Sequence, residues 1–304
     1  MRECARDSGF RGVVLFFGLA CVLSWPILFV VDAWLTPAYI DHGNDSAAAT
    51  AQVFGHMLGM LGPAAAAIAM WRRNPGLPRP SWRWSRPRFY AIAGFAALAL
   101  FLAPASMGLM FGDSLSVRTD IDTYRWVVLA SGFTLLWIAG MGEEVGWTAY
   151  LLPRLAPRLG RSGALLLTGA IRGIWHWPVL IGPVIYDVMS GESSVLRLRL
   201  LSVGFAFQLA VSNAVMFGGV FGRIWFKTES MPLLGWTHQW FDQTRAIMLI
   251  MIIGFGDSVW ATFATFLLVP AGYVALVSVA REEGITLSKW GWPRRSREDA
   301  ERSG

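Results

Sequence analysis

Three short stretches of an otherwise apolar chain carry side chains able to move protons or ligate a metal. Glu143 and Glu144 stand side by side in Gly142-Glu143-Glu144-Val145-Gly146-Trp147. Arg172 and His176 follow at i and i+4. His238 and Asp242 repeat that spacing, and Arg245 continues it at i+7. On a helix, i and i+4 share a face, whereas adjacent residues point about 100° apart. The two glutamates are therefore expected to do different jobs, one facing the site and one serving a neighbour. Glu143, Glu144, His176, His238 and Asp242 are the candidate catalytic residues. Such a set can hold a divalent metal such as zinc, here through His176, His238 and Asp242, or activate a water with no metal. The residues leave both routes open. His56 reads as a packing residue, Asp32 as solvated near an interface, and Arg172 as a candidate structural partner of Asp242.

The elements that must position these groups follow from composition. The chain has 304 residues, 55% of them hydrophobic and only 15% charged, with 16 Trp and 19 Phe. A soluble domain carries about a quarter charged residues, so disorder is excluded and an ordinary soluble enzyme is not expected. Cys4 and Cys21 are too few for a disulfide framework or a thiolate metal site. Roughly 20 apolar residues cross a bilayer, and eight stretches come close to that length. They are Val13–Val31, Val53–Trp71, Phe89–Phe111, Trp126–Gly142, Gly163–Ile185, Leu200–Gly222, Met231–Gly256 and Ser258–Ala280. The expected fold is an all-α, polytopic transmembrane bundle of about eight spans, a single membrane-embedded domain over residues 1–304.

Charge sets the orientation. Of the 26 Lys and Arg, 20 fall on one set of alternating connections and the termini, and four on the other. The positive-inside rule then puts both termini in the cytoplasm, as an even number of spans requires. The net charge of +6 is thus a topology signal, and no nucleic-acid partner is expected. Val13–Val31 reads as a retained anchor rather than a cleaved signal. The loop from Arg72 to Arg88 is expected at headgroup depth through Trp82 and Trp84. Residues 281–304 form a cytoplasmic tail that can touch the membrane surface through Trp290 and Trp292. Gly55 and Gly59 give a spacing that suits close helix packing.

The stretch from Gly142 to Leu155 resembles the first motif of the CPBP family of intramembrane proteases, the CAAX proteases and bacteriocin-processing enzymes also called Abi proteins. Gly173-Ile174-Trp175-His176-Trp177-Pro178 resembles the second motif, and His238 with Asp242 resembles the third. Gly62-Pro63-Ala64-Ala65 is similar to a feature of bacterial members, so the likeness spans a core of residues 53–253. The resemblance implies an intramembrane endopeptidase of the bacterial plasma membrane acting on membrane-anchored proteins or peptides. By the same resemblance, Glu143 is the base that activates water and Glu144 its acidic neighbour. His176 and His238 position that water or a metal, and Asp242 takes the fourth corner. Three positions depart from the pattern: Thr148 stands where Arg is usual, Arg172 where an aromatic is usual, and Asp242 where Asn is frequent. The expectation is that a positive charge has moved from position 148 to 172, with Asp242 compensating. The alternative reading is a non-catalytic membrane scaffold or immunity protein that keeps the protease fold.

Overall fold

The computed structural model describes residues 10–77, 79–110, 116–117, 137–191, 215, 218–253 and 259–283. Over these the chain is helical, as expected, apart from turns, an irregular connection over 74–77 and 79–86, and a two-residue antiparallel pairing of Ser116–Val117 with Ile252–Ile253. The helices are α1 (Phe10–Val30), α2 (Thr36–Asp41), α3 (Asp45–Met60), α4 (Gly62–Arg73), α5 (Pro87–Met110), α6 (137–144), α7 (Leu152–Trp175), α8 (Trp177–Met189), α9 (Gly218–Thr228), α10 (Met231–Met251) and α11 (Val259–Glu282). A π-helical turn, Val31–Leu35, joins α1 to α2, and a second, Val145–Leu151, joins α6 to α7.

Eight uninterrupted spans are not what these residues show. Among the described residues, two helical runs are long and apolar enough to cross a membrane, Phe10–Val30 and Val53–Arg73. The second of these turns at Leu61, because Pro63 opens α4 and has no N–H to continue the ladder of α3. The expected fifth span, Gly163–Ile185, is two helices. His176 ends α7 with φ −76° and ψ −2°, and Pro178 sits in the first turn of α8. A uniformly apolar stretch conceals such breaks, since hydropathy averages over the prolines that cause them. The expected spans Trp126–Gly142 and Leu200–Gly222 lie mostly outside the described residues, as do the tail from 284 onward and the Arg residues of the opposite face.

Apolar side chains cover the exterior as well as the interior. Val22 is 69% exposed and Phe95 72% exposed, while Phe16, Ala20 and Leu28 are fully buried. Such an exterior suits lipid as solvent, where small residues rather than apolar ones mark the interior. Gly55, Gly59 and Gly62 bear this out: a Cβ on each would run into Val31, Leu28 and Ser24. Ser24 also donates its hydroxyl to the Gly59 carbonyl at 2.8 Å, tying α1 to α3.

Aromatic packing then carries α1 to the chemistry-bearing segment. Phe16 stacks on Tyr150 with ring centroids 4.6 Å apart and meets Trp147 edge-on at 5.5 Å. Trp147 in turn meets Trp175 at 5.8 Å, and the Trp25 indole donates to the Trp175 carbonyl at 3.0 Å. Pro63 of α4 presses against Gly146, where a Cβ would lie 2.4 Å from the proline ring. Only glycine lets α4 approach the turn that follows the paired glutamates.

The far end of α7 is held differently. Gly160 adopts φ +69°, which breaks α7 and exposes fresh N–H groups at Arg161 and Ser162. Glu283, just past the end of α11, accepts from both N–H groups and from the Ser162 hydroxyl at 2.8 Å. Burial acts to raise the Glu283 pKa, but these donors outweigh it and hold the carboxyl below its ordinary range. Its capping contribution is present at neutral pH and is lost as pH falls through that depressed value. Glu283→Ala is expected to remove about 0.5–1 kcal/mol after solvent screening. Thermal unfolding in detergent at several pH values checks this. The gap between native and variant should close in acid, and a gap independent of pH would contradict the capping role.

Candidate active site

The residues singled out by type and spacing come together around one guanidinium. Arg172 is 2% exposed, and Glu143 and Glu144 are 1% and 0% exposed. Arg172 Nη2 lies 2.9 Å from Glu143 Oε2, and Nη1 lies 2.9 Å from Glu144 Oε1. Its guanidinium also meets the His238 ring, with Nη2 3.1 Å from Nε2 and 3.4 Å from Nδ1. Phe221 of α9 closes the cluster, 5.4 Å from the guanidinium carbon and 5.5 Å from the His238 ring. Pairing of Arg172 with Asp242 was one of the alternatives left by the sequence. Its ion pairs are instead to the two glutamates, and Asp242 Oδ2 sits 3.2 Å from His238 Nε2.

The glutamates divide their contacts as their angular separation on a helix suggests. Glu144 is enclosed: besides Arg172, it accepts from the Thr148 hydroxyl and lies 3.2 Å from His238 Nδ1. Glu143 faces the other way, with Oε1 4.0 Å from His176 Nε2. His176 Nδ1 is 2.8 Å from the Arg172 carbonyl. A carbonyl only accepts, so Nδ1 carries a proton, and in the neutral ring Nε2 is then an acceptor. The His176 side chain is 20% exposed, the Asp242 side chain 28%. Together they mark the open side of an otherwise closed cluster.

Each element contributes for a local reason. The helix break at His176 frees that ring from the face of α7 and turns it toward Glu143. The close approach of α6 and α10 depends on glycine, since a Cβ on Gly140 would lie 3.2 Å from His238 Cβ. On the outer side of α10, Trp236 donates its indole N–H to the Tyr90 carbonyl of α5 at 3.0 Å. That bond fixes the rotation of the helix that presents His238.

The sequence pattern passed over several buried polar groups. Thr148 stood out only as a departure from the motif, yet its hydroxyl holds Glu144. Gln239, Gln243 and Thr244 are all at most 1% exposed on α10. Their signal was available, since uncharged polar residues in a span also mark the interior. The Arg245 and Asp32 side chains lie outside the described residues. His56 is half-buried on α3, an element that supplies no member of the cluster.

A metal does not fit these residues as they stand. Among the described residues, no three His, Cys, Asp or Glu side chains gather as a cation site. His176, His238 and Asp242 do not converge, and the space shared by Glu143, Glu144 and His238 is filled by Arg172.

Comparison with known proteins agrees with the motifs. Curated proteins give no match to the chain. Residues 125–244 match the family model described as type II CAAX prenyl endopeptidase Rce1-like. That segment contains Glu143, Glu144, Arg172, His176, His238 and Asp242, and over it the chain is similar to the Rce1-like proteins of the CPBP family.

Proposed function

We propose that this membrane protein is an intramembrane endopeptidase that cleaves membrane-anchored proteins or peptides in the manner of CAAX processing, with Glu143 as the base. The observation that carries the reading is the 4.0 Å gap between Glu143 Oε1 and His176 Nε2. Two acceptors at that distance have no direct bond to make, but one water can donate a hydrogen to each. Its lone pairs then point outward, toward the open side. As the water oxygen attacks a peptide carbonyl, Glu143 takes the proton and later delivers it to the leaving amide nitrogen. Glu144, held by Thr148, Arg172 and His238, keeps the cluster assembled rather than moving protons. His238 links Glu144 to Asp242. The protease-like core is residues 53–253, in one membrane domain with both termini cytoplasmic.

The double ion pair of Arg172 favours a second reading, a non-catalytic protein that binds membrane partners through the same cluster. Terminal proteomics of membranes separates the two. Cells making the native protein or Glu143→Gln at equal levels are compared for new protein ends. Ends that depend on Glu143 support proteolysis and name the cleaved sequence. Identical ends, with both proteins folded and abundant, support the binding reading.

A further inference from the structure

We propose that Arg172 is the resident cation of this site, its guanidinium holding the position that a divalent metal would take among Glu143, Glu144 and His238. Three donors of the kind that bind zinc surround the two terminal nitrogens. Glu143 Oε2 and Glu144 Oε1 are each at 2.9 Å, and His238 Nε2 is at 3.1 Å. A metal would draw the same atoms in to about 2.0–2.2 Å. The guanidinium is too large to share that space, and it already neutralises one of the two carboxylate charges. It hydrogen-bonds Glu144 directly and pairs with Glu143 by charge at 2.9 Å, so each carboxylate has the counter-charge that burial demands.

This assignment rests on the packing of the cluster and stands whether or not the protein is a protease. It has a consequence that native sequence alone hides: the metal site is latent, and a single substitution should open it. Shortening residue 172 leaves two carboxylates and an imidazole facing a common space with no cation between them. His176 and Asp242, on the open side, are not needed for that set.

Cobalt titration of chelator-treated protein in detergent tests the proposal without any substrate. The native protein is expected to show no d–d absorption from bound cobalt. Arg172→Ala should take up about one ion per chain with the band of a low-coordinate N/O site. Adding His238→Ala to that variant should abolish the band. Zinc should raise the unfolding temperature of Arg172→Ala and leave that of the native protein unchanged, because only the former binds it in the folded state. Arg172→Gln, neutral and still polar but too short to reach between the carboxylates, replaces the alanine variant if that one does not fold. A native protein that binds cobalt in a His238-dependent way overturns the proposal. So does a folded Arg172→Ala or Arg172→Gln protein that binds none.

Discussion

Replacing Arg172 with methionine is expected to lower the folding stability by about 3–5 kcal/mol, the usual loss when one side of a buried ion pair is removed. The substitution keeps the volume of the side chain but leaves Glu143 and Glu144 facing each other without a counter-charge. Both are buried to within 1% of full enclosure, so solvent cannot take over the role of the guanidinium. The companion measurement gives the prediction its force. Glu143→Gln and Glu144→Gln combined with Arg172→Met should recover most of the lost stability, because a neutral cluster has no stranded charge. Thermal unfolding in one detergent reads all the combinations. Strictly additive losses would mean that Arg172 acts through packing on Phe221 and not through the carboxylates.

The second large effect separates the two glutamates by what each variant loses. Glu143→Gln is expected to lower the cleavage rate by roughly 10²–10⁴-fold, the range for a lost general base. Glu144→Gln should act first on stability, by about 1.5–3 kcal/mol, since Glu144 anchors charge-assisted contacts from Arg172 and His238 as well as the Thr148 hydroxyl. The contrast is legible in one experiment, in which turnover of a cleaved sequence and the unfolding temperature are measured for both variants. If Glu144→Gln removed turnover while leaving the unfolding temperature alone, the roles assigned to the pair would be exchanged.

The chemistry-bearing residues were readable because each is out of place in an apolar span. Glu143, Glu144, His176, His238 and Asp242 were all singled out that way, and the structure places Glu143, Glu144 and His238 around Arg172, with His176 beside Glu143 and Asp242 beside His238. What the pattern misjudged was Arg172. Spacing puts it on a face with His176, but the helix ends at that histidine, and spacing cannot say which neighbours Arg172 meets. The expected charge relocation from 148 to 172 has a physical route in the structure, although through Glu144 rather than Asp242, since Thr148 and Arg172 both reach that carboxylate. The fold class was legible from composition. The helix breaks were less so, because Leu61 and His176 sit within stretches whose mean hydropathy is that of an unbroken span. Pro63 and Pro178 carried the information, and each was first noticed for its place in a motif. The cap on Arg161 and Ser162 was beyond reach of any local reading, as its acceptor Glu283 lies more than a hundred residues away.

The widened turn between the glutamates and α7 bears on how the segment would take a change in length. From Val145 to Leu151 the backbone winds with each N–H reaching one residue further back than in an α-helix, and the Leu152 N–H accordingly bonds to the Trp147 carbonyl. Such widened turns occur mostly as single turns inside α-helices, frequently at functional sites. This one is fastened twice at its start, by Arg172 on Glu144 and by the close contact of Gly146 with Pro63. Deleting a single residue from a packed helix normally turns everything beyond it by about 100°. Within this segment the same deletion would restore ordinary winding and preserve the helices at either end.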